Sequence, residues 1–161
     1  MLQALSRAFK GALGRLAVYL ALAVFYMYGF LWTLRPRRVR TAGEVLEVFY
    51  YGFLRLRSED IEVVRVSDGE LVTISRNPCP ILKLALTLGM DTRYVCRVVS
   101  ETVCRYVLRR LNPRLVFERD YSYIRPYSNG CLEKVYWGPH NFAGLGNLRP
   151  PGSEFTQQSS T

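Results

Sequence analysis

The sequence predicts an α+β fold: an N-terminal transmembrane helix followed by a small domain of about four mostly antiparallel strands packed with two to three helices. Three observations predict it. Residues 16–34 (LAVYLALAVFYMYGFLWTL) contain no charge. Two β-branched runs, 61–66 and 71–74, flank an Asp68-Gly69 turn, and 115–121 and 131–137 also read as strands. Between these pairs, residues 80–111 keep helical spacing, broken at Gly89.

Size sets the organisation. Of 161 residues, about 34 belong to the N-terminal segment and the last twenty or so have few core-forming side chains, which leaves one small domain. The expected divisions are a membrane anchor with its basic flank (1–40), an α+β domain (41–137) and a flexible tail (138–161). The formal charge is +9, and 19 of the 22 basic residues are Arg. GC-rich coding produces that bias as readily as phosphate recognition does. The single histidine excludes any site that needs two imidazoles from this chain.

Residues 1–15 place Leu2, Leu5, Phe9 and Leu13 at helical spacing opposite Arg7 and Lys10, which suits an interfacial stretch or an extension of the span. At 1.5 Å per residue the uncharged run makes a helix roughly 28 Å long, close to the hydrocarbon thickness of a bilayer. A signal peptide would have a shorter apolar core and small residues after it, whereas here Thr33-Leu34-Arg35-Pro36 follows. Tyr26, Tyr28 and Trp32 sit toward the end, at headgroup level. Arg35, Arg37, Arg38 and Arg40 are the expected membrane-surface residues, and their density places the C-terminal domain on the cytoplasmic side of a single-pass protein.

Thr41-Ala42-Gly43-Glu44 reads as a capping box opening a helix over 42–57, with Val45, Leu46, Phe49, Tyr50, Phe53 and Leu54 on one face. The hairpin follows. Pro80 suits the first turn of a helix that runs to Leu88, and Asp91 caps another over 92–111, stopped by Asn112-Pro113. Two strands joined through the 126–130 turn region complete the domain. Beyond Trp137 the chain is rich in Gly, Pro, Asn, Ser and Gln, and Gly152-Ser153-Glu154-Phe155 matches what two adjacent cloning sites encode.

Four cysteines lie in the domain at 79, 96, 104 and 131, a spacing unlike a disulfide scaffold or a paired zinc motif, so reduced thiols are expected. Cys79 stands between two prolines at a helix start, where free N–H groups favour a thiolate. Cys131 opens a strand, and Cys96 and Cys104 lie about 80° apart on one helix. A pocket built from Cys79, Cys96 and Cys131, with Glu101 nearby, is one reading; small hydrophobes filling a core is the other. The same three sulfurs are the weak candidates for a metal site, and no cofactor is indicated. Cys79, Cys131 and Glu101 are the catalytic candidates, with His140 as the only imidazole that could partner a thiol. Glu118, Asp120 and Glu133 are expected to face solvent opposite Arg119, Arg125 and Lys134. The run Arg119 to Tyr127 interleaves rings and cations as nucleic-acid binders do, but it equally fits an edge strand and turn, and no other recognition motif accompanies it.

The motif order carries a resemblance. Cys79-Pro80, Leu88-Gly89, Cys96, then Leu111-Asn112-Pro113 with Leu115 and Phe117, then Gly130-Cys131-Leu132-Glu133 together resemble the L-2-amino-thiazoline-4-carboxylic acid hydrolase-like family over residues 59–137. The glycine–cysteine strand is also similar to that of vinyl-reductase-type ligand-binding domains. The resemblance implies an α+β domain with a small-molecule or thiol-lined pocket, and at most a hydrolase of C–N or C–S bonds. Three functions follow as expectations. The first is a membrane-anchored protein whose cytoplasmic domain binds a small-molecule ligand or a membrane-protein partner, as an accessory subunit would. The alternatives are a cysteine-dependent hydrolase of a small heterocycle or amide, and a thiolate metal-binding protein.

Overall fold

The structure is a computed structural model that describes the backbone of residues 2–138 and side chains from residue 11 onward. The tail expected at 138–161 lies, from residue 139 onward and with it His140, outside the described residues. The mixed helix-and-sheet fold is as the sequence predicts.

Helix α1 covers Leu2–Thr33, and its Gly11–Thr33 portion is long and apolar enough to cross a membrane. The two sides of this portion have different surroundings. Val18 is buried among Ile81, Ala85, Val95 and Val99. A Cβ on Gly29 would stand 3.1 Å from methyls of Val103 and Val107, so the absent side chain lets the helices meet closely. Tyr28 donates to the Phe53 carbonyl at 3.1 Å, and Tyr26 stacks near Tyr106 at 4.6 Å. Around the rest of the circumference Leu16, Leu20, Val24, Met27 and Leu31 are exposed. The exposed arc is roughly 200° wide at 3.6 residues per turn. The Gly11–Thr33 portion of α1 is therefore docked on the domain along one stripe and bare along the other.

Thr41 caps α2 by accepting from Glu44 N–H at 3.2 Å, as the sequence predicts, while Glu44 reaches back one residue further than a capping box would, to Arg40 N–H at 2.6 Å. Helix α2 starts as Ala42–Val45 and continues with wider, five-residue hydrogen bonding through Leu46–Phe53. It ends short of the expected residue 57. Arg55 adopts a left-handed φ of 55°, and Leu56 N–H returns to Tyr50 O at 3.0 Å, which turns Leu56 into the core. An arginine thus occupies a position that glycine usually fills.

Strands β1 (Ile61–Ser67), β2 (Glu70–Ser75), β3 (Leu115–Arg119) and β4 (Cys131–Trp137) form one antiparallel sheet in the order β1-β2-β4-β3. Asp120 ends β3 early by accepting from Ser122 N–H at 2.8 Å. Helix α3 (Pro80–Leu88) leads to a longer helical segment: α4 (Thr92–Cys96), a widened turn (Arg97–Glu101) and α5 (Thr102–Leu111). Phe49, Tyr50 and Phe53 of α2 pack with Val103, Val107 and Leu108 of α5 against Leu71, Leu115, Phe117 and Val135 of the sheet. Val18 meets Val95 and Val99 while Gly29 meets Val103 and Val107, so α1 runs parallel to this helical segment along its outer side.

Candidate functional site

Strand pairing assembles the site. Ser75 is opposite Cys131, and Thr73 and Arg119 flank Glu133 from the two neighbouring strands. All of these positions share the inner face with Leu71, Phe117 and Val135, so the sheet face that builds the core also carries a polar row. Glu133 is therefore not on the outer, solvated face expected of it. Its parity with Cys131 and Val135 turns it inward, and the Arg119 guanidinium opposite makes that burial tolerable. Glu118 and Asp120 are exposed as expected.

The Arg119 and Glu133 side chains are only 5% and 4% exposed. Arg119 directs Nε (3.2 Å) and Nη2 (2.5 Å) to the same carboxylate oxygen, Oε1, and gives Nη1 to Ser100 Oγ at 3.3 Å and to Cys96 Sγ. Glu133 Oε2 is left buried with no partner. Arg125 is held by Asn77, with Nη1 on the backbone carbonyl at 2.6 Å and Nη2 on the side-chain oxygen at 3.3 Å, while its Nε is buried and unpartnered. A buried donor or acceptor without a partner costs about 1–3 kcal/mol, and both of these atoms belong to residues that line one cavity, although neither atom is itself open to it.

The cavity has a volume of about 330 Å³. Cys79, Cys96 and Cys131 all line it, together with Arg119, Glu133, Arg125, Ser100 and Arg55. Its apolar wall includes Phe53, Leu56 and Ile81, and α1 contributes Phe25 and Tyr28. The three cysteines named from the sequence are thus placed on one cavity wall. Cys104 is not part of it; it is fully buried and its thiol is pushed up to about 12 by desolvation. Burial also pushes Cys96 up to about 11, against the downward pull of the Arg119 guanidinium, so it is a neutral thiol at physiological pH. Cys79 and Cys131 are half-buried and reachable from the rim.

Glu101 is not brought to this cavity. It accepts from Tyr121 and pairs with Arg105 at 2.5 Å beside a separate hollow. The aromatic and basic stretch after Arg119 is likewise occupied locally, with Arg97 over the Tyr121 ring at 4.4 Å and Arg93 over Tyr127 at 4.3 Å. Among the described residues no three His, Cys, Asp or Glu side chains form a group that could hold a metal ion.

Sequence reasoning missed the inward Arg119–Glu133 pair, Arg125 and Arg55. The signal for the first was legible: Leu115, Phe117 and Arg119 share one parity, as do Cys131, Glu133 and Val135. Gly130 belongs to the same local design, because a Cβ there would lie 2.4 Å from Ile74 Cγ2 and push β4 off β2 beside Cys131. Comparison with models of protein families, with curated proteins and with solved structures gave no match to this chain.

Proposed function

We propose that this protein is a membrane-associated small-molecule-binding domain, with α1 serving both as the membrane contact and as a wall of the ligand cavity. The observation that carries this reading is the cavity itself, where Arg119, Arg125 and Glu133 lie beside an apolar wall that includes Phe25 and Tyr28. Its volume lies at the small end of the ~300–1,000 Å³ range of ligand pockets. Three arginines (Arg55, Arg119, Arg125) and one carboxylate (Glu133) line the cavity, so the charge balance favours an anionic head, and the aromatic wall suits an apolar body. The motif resemblance to thiol-lined pockets points to the same kind of site.

The docked position of α1 supports a helix lying along the membrane surface. An upright span in this conformation would carry the neighbouring helical segment into the hydrocarbon, with Arg93, Arg97, Arg105, Arg109 and Arg110 exposed on it. Each arginine at mid-bilayer costs about 2.5–3.5 kcal/mol even on the most lenient scales. Lying in the interface, the bare arc buries its leucines while Arg35, Arg38 and Arg40 meet headgroups, each worth about 1 kcal/mol on an anionic cytoplasmic leaflet. A hydrolase centred on Cys79 is less favoured, because the carboxylate in its cavity is Glu133, already committed to Arg119, and not Glu101.

Thiol protection tests the reading. In the full chain in nanodiscs, decanoate should slow maleimide labelling of Cys79 and Cys131 several-fold, and decylammonium at the same concentration should not. Equal protection by both, or by neither, contradicts an anion-selective cavity.

A further inference from the structure

A second concavity lies at the C-terminal end of α1, about 700 Å³ in volume, between the Thr33–Arg40 crossing and the end of α5. Arg35, Arg37, Arg38 and Arg40 line it from the crossing and Arg110 lines it from α5, and no carboxylate is among the lining residues. Among the described residues none of the five forms an ion pair. Five like charges around one hollow repel one another, so the arrangement is stabilised by whatever anion enters it.

The hollow is built into the fold. Val39 is buried at 1% exposure in the main core, and Asn112 Nδ2 donates to its carbonyl at 2.9 Å, which pins the crossing to the end of α5. Arg40 N–H is tied to Glu44. Arg37 is held with its guanidinium 4.3 Å above the Trp32 ring. The arginines flanking Val39 are therefore positioned by the core and not strung along a loose linker. Planar guanidinium forks match the oxygens of a phosphoryl group, which carries close to two negative charges when it is a monoester. The exposed Leu34, just past the end of α1, also lines the hollow, where headgroups would lie.

We propose that this arginine basin is a binding site for the phosphomonoester headgroup of a membrane lipid. The proposal rests on the membrane reading above and adds a headgroup preference to it. A basic linker acting only through summed charge would not distinguish headgroups of equal charge, and would not involve Arg110 more than its neighbour. The basin does both.

The test uses the full chain and phosphatidylcholine vesicles doped either with phosphatidic acid or with phosphatidylserine to the same zeta potential. Arg110→Gln and Arg109→Gln remove equal charge from adjacent exposed positions, and only Arg110 lines the basin. The wild type should prefer phosphatidic acid vesicles. Arg110→Gln should weaken that binding about tenfold, with Arg109→Gln within about twofold of wild type, as expected for loss of one charge-assisted contact. Millimolar inorganic phosphate should compete. Equal binding to both anionic vesicles, or equal effects of the two variants, would overturn the proposal while leaving the membrane reading in place. Phosphate binding in solution without a headgroup preference on vesicles would overturn the lipid as its source. Failure to bind any vesicle, including pure phosphatidylcholine, would remove the membrane reading and this proposal together.

Discussion

Arg119 makes four contacts across three elements, joining β3 to Glu133 of β4 and to Cys96 and Ser100 of the helical segment above the sheet. An ion pair this deep is a specificity device more than a source of stability, since desolvating both charges cancels much of their attraction. Breaking it one-sidedly is another matter. Arg119→Met should cost about 3–5 kcal/mol in urea unfolding because Glu133 is left as an uncompensated buried charge. The double variant Arg119→Met/Glu133→Leu should recover most of that loss while abolishing decanoate protection of Cys79. A double variant as unstable as the single one would mean that packing, not charge, dominates here. The pair was legible in the strand parity, but carboxylates and guanidiniums are exposed so often that residue type outweighed position in the reading. Arg125 was not legible at all, because its placement depends on the fold of the 120–130 connection against Asn77, far away in sequence.

At the scale of elements, most boundaries followed from local chemistry. The Thr41 cap, Pro80 at the start of α3, the Asp68-Gly69 turn and the Asn112-Pro113 stop all act within a few residues, and all stand where the sequence placed them. The end of α2 did not, since a left-handed arginine is paid for by burying Leu56, a tertiary gain that no local rule contains. The docking stripe of α1 was also hidden. Leucine and valine cover both sides, and only Gly14 and Gly29 mark the face that meets the domain. Gly29→Leu should therefore undock α1: overpacking against Val103 and Val107 should cost about 1–3 kcal/mol and open the Phe25–Tyr28 wall, raising the labelling rate of Cys96. Unchanged stability and labelling would show that α1 does not close the cavity.

For the whole molecule, the buried acids set a pH limit. Cys96 and Cys104, with ordinary values of 9.0, are pushed up to about 11 and about 12, and burial raises Tyr50, Tyr121 and Tyr136 above their ordinary 10.0. The native state keeps these protons to higher pH than the unfolded chain does. For the two thiols that contribution is whole below pH 9 and is lost as the pH rises toward 11–12, at about 1.4 kcal/mol per pH unit for each. The melting temperature should fall steadily above pH 9, and Cys104→Val should flatten that slope by one proton. A stability plateau through pH 11 would contradict the burial of these groups.

The account depends most on α1 lying along a membrane with one stripe on the domain and its bare arc in lipid. Spin labels placed singly at residues 16, 20, 24, 27 and 31, in a Cys79→Ser/Cys131→Ser background, measure that through oxygen and nickel accessibility. All five should lie at one shallow depth, about 5–10 Å below the headgroups. A profile that deepens to mid-bilayer at residue 24 and rises at both ends would mean an upright span, and water accessibility at all five would mean no membrane contact.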